Sequence, residues 1–224
     1  MSLNGSPVEL TTAATDVILA LVCVWAVLGL TRFRAHDSWK TALWSSVFIL
    51  LAVASVLGAV VHGVELTESV QAALWRPLDL SLELTAALLL VGAVYDFFGK
   101  RAAQRLLPWA VVVGLVFHVL THALNSGFLV FVVYEGVAIV GTLALYARLA
   151  NNDRLAGARL VAAGIFLTLL AGLVQASDIS IRLVVPFDHN GVFHLVQAVA
   201  LVTLGHGLRV GLATVPQRAA RDRL

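Results

Sequence analysis

The chain has 224 residues, of which 60% are hydrophobic and 12% charged. Soluble domains are roughly 45–50% apolar and about 25% charged, so composition excludes that class and predicts an all-α membrane protein. The formal charge of +2 comes from dispersed arginines, which leaves no basic face for nucleic acid. The single cysteine, Cys23, excludes a disulfide framework and a thiolate metal site.

An apolar helix needs about 20 residues to cross roughly 30 Å of hydrocarbon, and seven runs approach or exceed that length. Helices are predicted over 15–32, 40–63, 77–98, 106–123, 127–147, 157–177 and 190–212. The connections are short, so residues 1–224 read as a single seven-helix transmembrane domain. The first run is flanked by Glu9 and Asp16 rather than Lys or Arg, and no small-residue cleavage site follows it. It is therefore expected to stay as a helix and not to be removed as a signal peptide. Pro108 is expected near the start of the fourth helix, where a missing N–H costs little.

Charge then orients the helices. Thirteen of the fifteen Lys and Arg residues lie beside one set of helix ends. They are Arg32, Arg34 and Lys40; Lys100, Arg101 and Arg105; Arg148, Arg154 and Arg159; and Arg209, Arg218, Arg221 and Arg223 after the seventh helix. Only Arg76 and Arg182 fall at the other ends. The positive-inside rule puts the N-terminus outside and the C-terminus in the cytoplasm of a multi-pass plasma-membrane protein. Two lysines against thirteen arginines, with abundant Ala and Val, is the composition expected of a GC-rich prokaryotic genome.

Five of the seven histidines lie at the end opposite the arginines. His62 closes the second predicted helix, Asp79 and Glu83 open the third, and His118 and His122 close the fourth. Glu135 is about two turns into the fifth, Gln175 and Asp178 close the sixth, and His189, Asn190 and His194 open the seventh. Ionisable groups in a bilayer are expensive, so their convergence in the outer half marks a functional site. Imidazole and carboxylate suit zinc, whose catalytic sites keep three protein ligands and a water. His118 and His122, at i,i+4 spacing, suit a metal pair or the wall of a polar crevice, and any one histidine can instead hydrogen-bond a neighbouring helix. Glu65 and Glu68 are expected to be solvated, Asp96 and Asp153 to pair with arginines, and His36 to sit in a loop. His206 is expected to bond between helices deep in helix seven. The glycines read as packing residues.

The stretches GAVVHG at 58–63, RPLDLSLEL at 76–84 and DHNGVFHLVQ at 188–197, on a seven-helix plan, resemble the CREST superfamily. That group includes the alkaline ceramidases and the adiponectin-receptor/progestin-receptor family. The resemblance implies that His62 and His194 bind zinc and that Asp79 is the acidic residue near the metal. It implies hydrolysis of a lipid amide or ester, with Asp79 positioning water or accepting its proton. The N-out orientation resembles the ceramidase branch. Two positions depart from the pattern: Gly58 stands where the family has Ser, and Asn190 where it has the first His of HxxxH. The third ligand is left to His189, His118 or His122. A b-type haem held between facing histidines and a non-catalytic receptor or binding protein for an apolar ligand are the alternatives. A retinal Schiff base is excluded, because Lys40 and Lys100 are the only lysines and neither is in helix seven.

Overall fold

The computed structural model describes residues 2–124, 127–182 and 184–221. Seven helices dominate it: α1 (Pro7–Thr31), α2 (Ser38–Gly63), α3 (Glu68–Phe98), α4 (Lys100–Ala123), α5 (Gly127–Asn151), α6 (Ala158–Gln175) and α7 (His189–Arg221). All seven are long and apolar enough to cross a membrane. Between α6 and α7, strands β1 (Ile181–Arg182) and β2 (Pro186–Phe187) pair antiparallel.

Several helices start earlier than hydropathy alone predicts, and in α1 the cap explains it. Ser6 caps α1 and accepts from the Glu9 backbone N–H, with Pro7 at the first helical position. Ser-Pro-Val-Glu thus carries a polar start signal that an apolar window overlooks. Asp16 is consequently no flank of an apolar run; it lies inside α1 and is buried. Helix α3 begins at Glu68 instead of residue 77, so Pro77 is internal and Asp79 stands about three turns into the helix. Ser81 Oγ donates to the Pro77 carbonyl at 2.7 Å. Helix α4 begins at Lys100, after Gly99 in a positive-φ conformation (91°), which places Pro108 within the helix and not at its start. Helix α7 continues to Arg221, so Arg209 lies inside it; Arg223 falls outside the described residues.

Each helix packs on the next in chain order, α7 packs back on α1, and α3 also packs on α5. Helices α6 and α7 approach closely at their glycines. A Cβ on Gly164 would lie 2.8 Å from the Leu204 nitrogen and 2.9 Å from the Ala200 carbonyl, a small-residue crossing of the kind that lets apolar helices approach.

Close packing is concentrated toward the arginine-rich end. Trp44, Phe48, Tyr146, Leu208 and Leu212 are fully buried there, and the Trp44 indole fills the space beside Gly92. The same end holds a buried ion pair: Lys40 Nζ meets Asp96 Oδ1 at 2.5 Å, each side chain 3% exposed. Tyr146 OH donates to Asp96 Oδ2 at 2.5 Å. Asp37 caps α2 through the Lys40 backbone N–H at 2.9 Å and accepts from Tyr95 OH. Asp96 therefore pairs with a lysine and a tyrosine in place of the expected arginine, whereas Asp153 does pair with Arg159 at 3.0 Å. His206 is exposed on the outward side of α7 and does not bond between helices.

At the opposite end the N-terminal segment is tied down. Leu3 bridges Val64, Asn4 N–H donates to the Gly63 carbonyl at 3.0 Å, and Glu65 N–H donates to the Ser2 carbonyl at 3.0 Å. Glu65 is exposed, as expected, and its carboxylate also accepts from Ser2 Oγ at 2.7 Å.

Candidate functional site: a cavity at the histidine-rich end

A ring of seven helices with good packing at one end leaves space at the other. A cavity of about 580 Å³ opens between α1, α2, α3, α5, α6 and α7, with Thr121 and His122 of α4 on its wall. Its lining is graded along the bundle axis. His62, Asp79, Gln175, His189, Asn190 and His194 lie toward the N-terminal end of the molecule, while Leu51, Leu89, Ile139, Ile165, Leu201 and Leu204 line the deeper part. On α7, His194 and Leu204 are separated by about 15 Å of helix rise.

His62, Asp79, His122, His189 and His194 all reach this cavity, and His118 does not. Each of four histidines has a carboxylate beside it. His62 Nδ1 hydrogen-bonds Glu9 Oε2 at 2.6 Å, with the Trp75 ring edge-on at 6.0 Å. His122 Nε2 is 3.5 Å from Asp79 Oδ2. His118 Nδ1 hydrogen-bonds Glu83 Oε2 at 2.8 Å; Glu83 is fully buried and also accepts from Thr121 at 3.0 Å. The His118 and His122 rings meet edge to face at 4.7 Å, so the i,i+4 pair serves two separate carboxylates.

His194 is the most enclosed of the set, and its hydrogen bonds assign its tautomer. Its Nδ1 lies 3.0 Å from Thr15 Oγ1. The Thr15 hydroxyl donates its one proton to the Thr12 carbonyl at 2.8 Å, so it accepts from Nδ1–H. In the neutral ring Nε2 then carries the lone pair, and it faces Asp16 Oδ1 at 3.5 Å. Nearby, Asp188 accepts from Gly191 N–H at 2.9 Å and from Thr12 Oγ1 at 3.1 Å, which caps α7 and pins it to α1.

Asp16 is the site residue that the apolar pattern hides. It lines the cavity, is 4% exposed, and its Oδ2 has no hydrogen-bond partner among the described residues. Gly58 makes room for it: a Cβ there would lie 2.7 Å from Oδ2 and 2.9 Å from Oδ1. The missing side chain at residue 58, one of the two departures noted in the sequence, is thus the space that the α1 carboxylate fills. The signal was present as a lone Asp within an apolar helix. Gln197, one turn beyond His194, also lines the cavity with a buried and unpartnered Oε1.

The chain belongs to a family of unknown function, DUF6962. The match covers residues 11–212, which include every cavity-lining side chain and leave Glu9 outside. No curated protein and no solved structure matches this DUF6962 member.

Zinc needs three or four donors around one point. Among the described residues of the DUF6962 chain, no group of three His, Cys, Asp or Glu side chains is close enough together to hold a metal ion. The donors are instead distributed as acid–histidine pairs around the cavity wall, with His118 turned away from it. The donor set offers pairs, and so does not fit the zinc site that the resemblance implies.

Proposed function

We propose that this chain is a multi-pass membrane protein, N-terminus outside and C-terminus cytoplasmic, that binds a lipid-like amphiphile in the cavity between its helices. The observation that carries this reading is the grading of a cavity of about 580 Å³ from acid–histidine pairs at one end to Leu and Ile at the other. Ligand pockets run from roughly 300 to 1,000 Å³, mostly apolar with a few placed polar groups. An amphiphile matches both ends: its head meets the polar rim and its chain lies on the apolar floor.

The membrane part of the reading is supported by the outward surface. Val17, Leu21, Leu28, Trp109, Val137 and Leu173 are exposed apolar side chains on four helices, more than an aqueous surface tolerates. The arginine bias supports the orientation.

Saturable binding of a fluorescent single-chain amphiphile by protein in nonionic micelles tests this reading. Gly172 lines the cavity with open space where a side chain would project, whereas Gly136 has equal space and does not line it. Gly172→Phe should abolish saturable binding and Gly136→Phe should leave it. Equal, non-saturating uptake by both variants would remove the ligand-binding reading.

Hydrolysis of a lipid amide or ester is the second reading. It is supported by the resemblance to the CREST superfamily and by His62, Asp79 and His194 sharing one cavity. Elemental analysis separates the two. The binding reading expects much less than one zinc per chain after purification with supplemented zinc. About one zinc per chain, lost in both His62→Ala and His194→Ala, would instead favour the hydrolase. An absorption spectrum of the same sample decides the haem alternative.

A further inference from the structure

Polar atoms left without partners on cavity-lining residues narrow the head group that the amphiphile can carry. Three acceptors on cavity-lining residues have no donor among the described residues. Asp16 contributes a carboxylate whose Oδ2 is unpartnered, and Gln197 contributes an unpartnered Oε1. His194 contributes Nε2, because Nδ1–H is committed to Thr15. Asp16 and Gln197 are 4% and 7% exposed, so bulk water does not bathe them. A buried acceptor left unmatched loses the hydrogen bond that water gave it, and three together on one wall call for a donor-rich occupant.

Their placement is compact. His194 and Gln197 are one turn apart on the same face of α7, and Asp16 Oδ1 is 3.5 Å from His194 Nε2. The terminal torsion of an Asp is broad, so either carboxylate oxygen can turn toward the cavity. Among the described residues the cavity lining holds no Lys or Arg, while Asp16, Asp79 and Glu135 are all in it. The wall is therefore complementary to positive charge. An alkylammonium brings three N–H donors, one for each acceptor, and its chain continues onto the leucines below.

We propose that Asp16, His194 and Gln197 form a recognition site for the primary ammonium head of a single-chain amphiphile. The proposal rests on the amphiphile-binding reading above. Asp16 supplies the charge, His194 Nε2 and Gln197 Oε1 complete the shell, and Gly58 keeps the carboxylate in place. A bare metal ion would use the same lone pairs, but it leaves the apolar volume empty and finds no third His, Cys, Asp or Glu ligand beside it among the described residues.

The test uses the full chain in nonionic micelles, titrated by calorimetry with dodecylamine, dodecanol and zinc chloride, empty micelles being subtracted. Dodecylamine should bind saturably, at least tenfold more tightly than dodecanol. Asp16→Asn, close in size, should lose that preference while retaining dodecanol binding, and Gln197→Leu should weaken the amine severalfold. Saturable binding of both compounds with no amine preference, or a preference untouched by Asp16→Asn, would overturn the ammonium site alone. Saturable binding of neither would overturn the amphiphile reading beneath it. Zinc binding near one per chain that Asp16→Asn removes would reassign the three acceptors to a metal and overturn the proposal.

Discussion

The Asp16 carboxylate occupies the volume that a side chain at Gly58 would need. Helices α1 and α2 pack so that a Cβ on residue 58 would sit 2.7 Å from Asp16 Oδ2. The acid and the glycine are thus one feature, an acidic group admitted to an apolar interface by removal of a side chain from its neighbour.

Gly58→Ala should therefore displace Asp16 and destabilise the fold by about 1–3 kcal/mol, the usual effect of overpacking. Thermal unfolding in detergent reads the single variant, and a double-mutant cycle with Asp16→Ala reads the coupling. The Gly58→Ala effect should shrink strongly when Asp16 is already alanine. Additive losses would mean that the carboxylate and residue 58 do not compete for space.

The Lys40–Asp96 pair at the other end makes a second case. Removing one partner of a buried ion pair leaves an uncompensated charge and destabilises by about 3–5 kcal/mol. Lys40→Met should consequently unfold at a much lower temperature, or fail to accumulate. Replacing the whole network, as Lys40→Met with Asp96→Leu and Tyr146→Phe, should recover most of that loss, because none of these three residues then leaves a buried polar partner unmatched. A combined variant less stable than Lys40→Met would contradict this account.

Glu83 is fully buried and held by His118 and Thr121. His118→Ala removes one of those donors and should destabilise by about 1–3 kcal/mol, with little effect on ligand binding because His118 does not line the cavity. Glu83→Gln, which keeps size and one acceptor, should be milder. Melting curves and the amphiphile titration on the same samples check both halves of the expectation.

The proposed orientation is testable without any ligand. Cys23 is fully buried, so it should give little background with an impermeant thiol reagent. Glu68→Cys and Asn152→Cys lie at opposite ends of the bundle, and both positions are exposed. In intact cells the first should label and the second should not. The reverse pattern would invert the topology and put the cavity mouth on the cytoplasmic side.

Seven helices and the crowding of His, Asp and Glu at the end opposite the arginines were legible in the sequence by itself. Hydropathy and charge bias are sums along the chain, so they survive without knowledge of any neighbour. Helix starts were less legible: Ser6 and Pro7 begin α1 in polar sequence, and α3 and α4 run through Pro77 and Pro108. A proline can sit inside a transmembrane helix when neighbouring helices and hydroxyl side chains re-satisfy the freed backbone groups, and those neighbours are invisible in a linear pattern.

Only the tertiary structure decided who faces whom. Glu9 meets His62, Glu83 meets His118, and Asp16 meets His194 and Gly58. These contacts depend on how each helix is rotated and on its depth relative to the next. Rotation is set by interlocking side chains such as Gly164 under Leu204 or Trp44 over Gly92, and no single helix encodes it. For that reason the sequence could present five histidines as possible ligands of one ion, while the packed bundle places four of them in separate acid–histidine pairs and brings a carboxylate from α1 to the cavity wall.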